Sequence, residues 1–132
     1  MSENPLIAVV DDDASMRGAL RRLLRSVGFR AAAFASAEEF LQASQLQDTA
    51  CVIVDVRMPG MSGLELQQHL ATIQCLVPLI FITAHGDEEA RARALRAGAV
   101  EFLYKPFREE VLLRAIQSAL PASRDSGAGT PC

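Results

Sequence analysis

Residues 6–13 read LIAVVDDD, a run of five apolar residues that leads directly into three aspartates. An unbroken apolar run of this length is typical of a strand that is buried on both faces. Asp11, Asp12 and Asp13 repel one another, and carboxylates at the end of a core strand are costly to remove from water. The stretch therefore predicts a buried strand whose end needs a group that offsets this repulsion.

The composition indicates one ordinary domain. The chain has 132 residues, of which 50% are apolar and 22% charged, enough for a single core. It has no run of about eighteen apolar residues and no cleavable leader, so we expect a soluble protein of the cytoplasm. A net charge of -3 is unlike the basic footprint of a domain that binds nucleic acid directly. Cys51, Cys75 and Cys132 are widely spaced, and we expect buried or idle thiols.

Four further candidate strands follow the first, separated by stretches with helical features. They cover the short segments 29–34 and 100–103 and the apolar runs 51–54 and 79–82. Asp13 is suited to cap the first helix, and Ser36 and Ser62 each stand three residues before a glutamate, which is capping-box spacing. The five helices are expected over about residues 13–28, 36–46, 62–74, 87–98 and 107–120.

This alternation predicts the fold class. Unbroken apolar strands joined by amphipathic helices form a parallel sheet covered on both faces, because right-handed crossovers place helices on either side. We therefore predict a doubly wound α/β sheet of five strands and five helices. Residues 121–132 read PASRDSGAGTPC, a linker composition. We expect a folded domain over residues 1–120 and then a flexible tail or the start of an interdomain linker.

Chemically useful side chains follow four of the five strands. Asp11 and Asp12 follow the first, Asp55 the third, Thr83 the fourth and Lys105 the fifth. Ligands of open parallel sheets bind beyond the carboxyl ends of the strands, where these groups should meet. Three carboxylates suit a hard cation, Mg²⁺ or Mn²⁺, which would answer the repulsion at the first strand. Asp55 is then the natural nucleophile toward phosphorus, with the hydroxyl and the ammonium holding phosphoryl oxygens.

Each of these residues also has an ordinary structural interpretation. An acid after a strand is often only a helix cap, the role we assign to Asp13. Thr83 and His85 could be turn or loop residues, and Lys105 a solvated charge. The glycines within residues 58–63, MPGMSG, are most simply turn glycines. Convergence favours function, since the only lysine among thirteen basic residues stands at this edge.

The ordered segments VVDDD, VDVRMPGMSGLEL, FITAHGD, AGAVEF and YKPF resemble a known family. The chain is similar to the response-regulator receiver domains of two-component signalling over about residues 5–120, and most similar to FixJ-type receivers. The resemblance implies a flavodoxin-like sheet with strand order 2-1-3-4-5. It also implies a longer relative in which a C-terminal helix-turn-helix binds DNA and regulates transcription.

The resemblance assigns roles at the acidic edge. Asp55 would accept a phosphoryl group from a phosphohistidine on a partner sensor kinase. Asp11, Asp12, Asp55 and the backbone carbonyl of Arg57 would hold Mg²⁺. The protein would then be a phosphoacceptor switch, which catalyses only its own phosphorylation and dephosphorylation.

The same resemblance implies how a signal leaves the site. Thr83 and Lys105 would contact the phosphoryl oxygens, and the peptide bond between Lys105 and Pro106 would be cis. Thr83 would move toward the phosphoryl group while Phe102 turns inward. The surface of the fourth helix, fifth strand and fifth helix would then change its preferred partner, and phosphorylation would favour a homodimer through this surface.

Two features depart from the family pattern. Phe102 lacks a hydroxyl, so a switch based on a tyrosine hydrogen bond does not transfer; Tyr104 faces the same side only if the strand extends that far. No effector sequence follows residue 120. The chain is then either a single-domain receiver that acts by protein contact or a piece that ends in its linker.

Three other functions stay open. A magnesium-dependent aspartyl-phosphate phosphatase would carry a second acid two residues after the nucleophile, where this chain has Arg57. A flavin or nucleotide carrier shares the fold, but Asp11 and Asp12 would repel its phosphate, and the loop lacks suitable donors. A pseudo-receiver would signal without phosphorylation, although the full set of acids, hydroxyl and lysine is present.

Overall fold

The computed structural model describes residues 4–84 and 87–120. All five strands are parallel and lie in the order β2-β1-β3-β4-β5, which confirms the predicted sheet and its topology. The strands are β1 (Leu6–Val10), β2 (Arg30–Phe34), β3 (Thr49–Asp55), β4 (Leu79–Thr83) and β5 (Glu101–Tyr104).

Helices connect the strands and cover both faces of the sheet, as predicted. They are α1 (Ala14–Ser26), α2 (Ala37–Gln42), α3 (Gly63–Thr72), α4 (Glu88–Arg96) and α5 (Glu109–Ala119). Strand residues alternate between two apolar clusters. Ile7 and Val9 of β1 join the cluster under α1 and α5, whereas Ala8 and Val10 join the cluster under α2, α3 and α4. Each fully buried aliphatic side chain stabilises the fold by about 1.5–3 kcal/mol.

Side-chain caps confirm the predicted starts of α1 and α3. The Asp13 carboxylate accepts from the backbone N–H groups of Ser15 and Met16, so this third aspartate serves α1. Ser62 and Glu65 form a reciprocal capping box at the start of α3. These caps satisfy backbone donors that have no partner inside the helix. The chain therefore enters α1 and α3 at a fixed place after the preceding strand.

The prediction of one continuous helix over residues 36–46 is wrong. α2 ends at Gln42, Ala43 is extended, and a 3-10 helix follows over Ser44–Asp48. The break lets the partly buried Leu46 pack against the cluster under α2, α3 and α4, and the Thr49 hydroxyl donates to the carbonyl of Gln45. Tertiary packing and side-chain capping here outweigh helix continuity.

Two smaller predictions meet different outcomes. Cys51 is free and buried, but Cys75 is disulfide-bonded, so the expectation of an idle thiol is wrong there. β5 extends as far as Tyr104, which meets the condition for Tyr104 to lie on the same side of the strand as Phe102.

The described residues do not include His85, Cys132 or the rest of the tail at 121–132. None of the helices in residues 4–84 and 87–120 has the length and apolar surface needed to cross a bilayer.

Candidate functional site

The site lies at the carboxyl ends of β1, β3, β4 and β5. Asp11 directly follows β1, Asp55 ends β3, Thr83 ends β4, and Lys105 directly follows β5. Asp11, Asp55 and Thr83 are buried although all three are polar. The carboxyl ends of neighbouring parallel strands lie at the same edge of the sheet. The topology therefore brings these residues together, as the sequence predicts.

Lys105 bridges two of the three carboxylates. Its Nζ lies 3.2 Å from Asp11 Oδ2 and 3.1 Å from Asp55 Oδ2, and it donates a hydrogen bond to each. Burial alone would lower the pKa of Lys105, but the hydrogen bond to Asp55 and the charge of Asp11 outweigh it and raise that pKa. The ammonium therefore stays charged at neutral pH and offsets part of the repulsion between the acids.

Asp11 is fully buried and is held through both its side chain and its backbone. Its Oδ1 accepts from the backbone N–H of Asp13 at 2.9 Å, and Arg17 Nη1 donates to its carbonyl oxygen at 2.8 Å. Burial raises the pKa of Asp11, against the lowering effects of the Asp13 hydrogen bond and of Lys105. A bound cation would relieve that cost, because opposite charge favours the ionised carboxylate.

Asp55 presents a carboxylate with one protein partner on each oxygen. Oδ2 accepts from Lys105, and Oδ1 accepts from the backbone N–H of Arg57 at 3.1 Å. The side chain is 10% exposed, so it is mostly enclosed yet reachable from solvent. Two hydrogen bonds thus hold the carboxylate in a fixed orientation while it keeps some contact with solvent.

The segment after Asp55 depends on two close backbone approaches. A Cβ on Gly63 would collide with the carbonyl oxygen of Asp55, so α3 packs directly on the end of β3. Gly60 has φ +76, and Glu38 Oε2 accepts from the backbone N–H of Met61 at 3.0 Å. Gly60 is the turn glycine that the sequence predicts, whereas the turn prediction is wrong for Gly63, the first residue of α3.

Asp11, Asp12 and Asp55 fit a hard divalent cation. One carboxylate oxygen from each lies within 4.8 Å of the others, and Asp12 is exposed to solvent. All-oxygen ligands with an open side match the preference of Mg²⁺, which takes few carboxylates and keeps several waters. The fold therefore brings the three predicted carboxylates together.

Aromatic side chains lie beside the site on β4 and β5. The ring of Phe102 is buried, 6.0 Å from the ring of Phe81 and 5.6 Å from the ring of Tyr104. Thr83 and Tyr104 are paired in the register of β4 and β5, and the backbone N–H of Lys105 donates to the carbonyl of Thr83 at 2.7 Å. The bond between Lys105 and Pro106 is cis, as the resemblance implies.

Sequence reasoning missed two residues that shape the site. Arg17 holds the carbonyl of Asp11, and Glu38 holds the N–H of Met61 in the turn after Asp55. Arg17 lies four residues after Asp13, one turn into α1. The predicted N-cap at Asp13 could therefore have placed Arg17 near the end of β1. Nothing in the spacing of Glu38 pointed to a turn 23 residues away.

Comparison with known proteins gives one consistent result. A family model described as "Response regulator receiver domain" matches residues 7–117. Nodulation protein W of Bradyrhizobium diazoefficiens is 47% identical over 123 residues, which is 93% of this chain and 54% of that protein. Transcriptional regulatory protein FixJ of the same organism is 43% identical over 114 residues, which is 86% of this chain and 56% of that protein. The chain spans about half the length of these relatives.

A solved structure agrees with this match. The solved structure of the response regulator StyR superimposes on this chain with a TM-score of 0.83 and 50% sequence identity. The superposition covers 89% of this chain and 59% of that one.

Proposed function

This chain belongs to the response-regulator receiver family of two-component signalling, and on that premise we propose that it is a switch phosphorylated on Asp55. Receivers are signalling switches, and response regulators interact with sensor kinases. The proposed donor is a phosphohistidine on such a kinase. The observation that carries the proposal is the Asp55 carboxylate, which is mostly enclosed, oriented by Arg57 N–H and bridged to Asp11 by Lys105.

The proposed reaction forms one bond and breaks one. An oxygen of Asp55 attacks phosphorus, the bond from phosphorus to the donor nitrogen breaks, and the histidine takes up a proton as it leaves. Lys105 is already beside Asp55 and supplies positive charge to the phosphoryl oxygens. The buried hydroxyl-bearing Thr83 ends the adjacent strand and is proposed as the second contact.

The proposed cofactor is Mg²⁺, held by Asp11, Asp12, Asp55 and the backbone carbonyl of Arg57. When bound, it supplies positive charge that neutralises the acids and the phosphoryl oxygens. The support is the set of three carboxylate oxygens within 4.8 Å of one another. The protein residues orient the nucleophile and shield it.

The proposed output runs through Thr83 and Phe102 to the surface of α4, β5 and α5. Because Phe102 is already buried against Phe81, we expect it to repack there rather than to enter from solvent. The altered surface would support a homodimer or another protein contact. The proposed domain covers residues 1–120, with 121–132 as a tail or linker in a cytoplasmic protein.

A role in transcription is the proposed consequence in a longer chain. One similar protein is named as transcriptional regulatory, and this chain covers 56% of it. A DNA-binding domain joined after the receiver would carry out that role, since a net charge of -3 gives the receiver itself no basic footprint. A single-domain receiver that acts by protein contact is the alternative.

The decisive test is intact mass after incubation with acetyl phosphate, with and without Mg²⁺. We expect the native chain to gain one phosphoryl group only with Mg²⁺, and Asp55→Ala to gain none. Asp48→Asn is the matched control, because Asp48 is an exposed acid paired with Arg30. Labelling of Asp55→Ala at the native rate would refute the proposal. Continuous phosphate release, with many turnovers per chain, would favour the phosphatase instead.

A further inference from the structure

The two ends of α4 are held in different ways. Only Ala90 and Ala94 of this helix are buried, and each contributes a single methyl group to the core. Near its C-terminal end the buried Gln67 donates to the carbonyl of Ala94 at 3.1 Å, and the N–H of Ala99 donates to the same carbonyl at 3.0 Å. A buried hydrogen bond is costly to break. The later part of α4 is therefore anchored to α3, while apolar packing does little to fix its start.

Two carboxylates hold the start of α4 instead, the half-buried Asp87 and the exposed Glu88. Asp87 caps the helix by accepting from the N–H of Ala90, and its Oδ2 lies 3.4 Å from Arg57 Nη2. Its neighbour Glu88 accepts a hydrogen bond of 3.0 Å from the hydroxyl of Tyr104. The first turn of α4 is thus tied to the loop after β3 on one side and to β5 on the other.

Tyr104 connects this turn to the proposed phosphorylation site. It is the Cα partner of Thr83 and directly precedes Lys105. Its ring packs edge-on against Phe102, which fixes the direction of the hydroxyl. Partial burial, followed by the nearby Glu88 carboxylate, raises the pKa of the Tyr104 phenol, which therefore remains a donor at neutral pH.

Arg57 makes the second connection. Its backbone N–H donates to Asp55 Oδ1, while its side chain reaches Asp87. The side chains of Arg57 and Glu88 are 61% and 81% exposed. Water screens contacts of this kind, so they are weak and reversible. A change of charge at a nearby residue is therefore enough to break these contacts.

We propose that the Tyr104–Glu88 hydrogen bond and the Arg57–Asp87 ion pair form a clasp that holds the first turn of α4 in its resting position. For its trigger the inference rests on the proposed function: a phosphoryl group on Asp55 adds negative charge that competes with Asp87 for Arg57. Opening frees the start of α4 to pivot about the anchored Ala94. Tyr104 is a positioning residue, since it acts on the site through β5 and α4.

The clasp can be tested first without phosphorylation. Tyr104→Phe removes one hydroxyl and keeps the ring that packs against Phe102. We expect amide hydrogen exchange at residues 90–94 to rise about threefold to tenfold, the size expected for one lost hydrogen bond. Exchange in α1 and α5 should not change. Glu89→Gln is the matched control, because Glu89 lies in the same turn, whereas the Tyr104 hydroxyl donates to Glu88.

The second measurement connects the clasp to the site. Labelling of Tyr104→Phe by acetyl phosphate should accelerate by a similar factor, and adding Glu88→Ala should give no further increase. Unchanged exchange in Tyr104→Phe would overturn the clasp. Faster exchange with an unchanged labelling rate would overturn its link to Asp55. If the native chain is not labelled at all, the proposed function fails, and the exchange result still decides whether the clasp exists.

Discussion

Lys105 is the residue on which the charge balance of the site depends. It lies within 3.2 Å of Asp11 and 3.1 Å of Asp55, and its side chain is only 15% exposed. Lys105→Met keeps the length of the side chain and removes its charge. We expect labelling of Asp55 by acetyl phosphate to slow on the order of 100-fold, as when one electrostatic stabiliser of a transition state is lost.

The matched control for this prediction is Arg114→Met. Arg114 is an exposed cation of α5, so its replacement removes the same charge from the surface. Time courses of intact mass measure both variants against the native chain. Equal labelling of Lys105→Met and the native chain would show that the ammonium takes no part in the transfer.

Cys51 gives a residue-scale prediction away from the site. Burial raises the pKa of its thiol from 9.0 to about 12. Because the folded-state pKa is raised, this contribution to stability is complete below pH 9.0 and is lost as pH rises toward 12. At neutral pH the thiol is protonated and enclosed, so iodoacetamide should not modify it until the chain unfolds.

Peptide mapping after alkylation checks this prediction with and without denaturant. Modification of Cys51 in the folded chain, at the rate of an exposed thiol, would contradict the burial of β3. In denaturant the same peptide should be modified fully, which confirms that the reagent is active.

At the residue scale, sequence could predict the groups whose position follows from topology. Asp11, Asp55 and Lys105 follow strands, and parallel strands end at one edge, so their meeting could be predicted without coordinates. Arg17 and Glu38 could not be found in this way. Their partners are the backbone carbonyl of Asp11 and the backbone N–H of Met61, which no residue type marks.

At the element scale, the start of α3 is set by the absence of a side chain. A Cβ at Gly63 would collide with the backbone carbonyl of Asp55 and crowd Phe81. Gly63→Ala must therefore displace the helix from the end of β3. We expect the free energy of unfolding to fall by about 1–3 kcal/mol, as for overpacking in a close-packed core.

Gly18→Ala is the matched control for Gly63→Ala. Gly18 lies inside α1, and a Cβ there would meet only the flexible Arg22 side chain at 3.4 Å. Alanine in a helix interior should stabilise the chain by about 0.5–1 kcal/mol relative to glycine. Urea unfolding measures both, and a stabilised Gly63→Ala variant would mean that α3 can move away from β3 at no cost.

Element boundaries show where sequence reasoning stops. Caps fixed the starts of α1 and α3, since Asp13 and Ser62 bond to specific backbone groups. The helix predicted over residues 36–46 breaks at Ala43 instead. The reason is packing of Leu46 against the core, which depends on the whole sheet and cannot be seen in the local pattern.

At the scale of the whole molecule, the acidic cluster would couple the proposed metal binding to stability. Asp11, Asp12 and Asp55 come together only in the folded chain. A cation that binds the folded state alone raises stability, by about 2.7 kcal/mol when its concentration is 100 times its dissociation constant. We therefore expect added MgCl₂ to raise the melting temperature.

Asp12→Asn should weaken that increase, because Asp12 is exposed and its replacement removes a ligand without burying an uncompensated group. NaCl at the same ionic strength separates binding from general screening of charge. Scanning calorimetry measures each condition. An equal rise with NaCl would show that the effect is screening and that the cluster holds no ion.

The position of Lys105 in the sequence also determines when, during translation, the acids of the site gain their positive partner. Its partner acids lie 94 and 50 residues earlier in the sequence, so Asp11 and Asp55 leave the ribosome long before it does. A domain generally folds as a unit, and β5 belongs to the same sheet as β1 and β3. A nascent chain that ends before β5 carries this pair of acids without their lysine. The formation of β5 therefore completes both the sheet and the charge balance of the site.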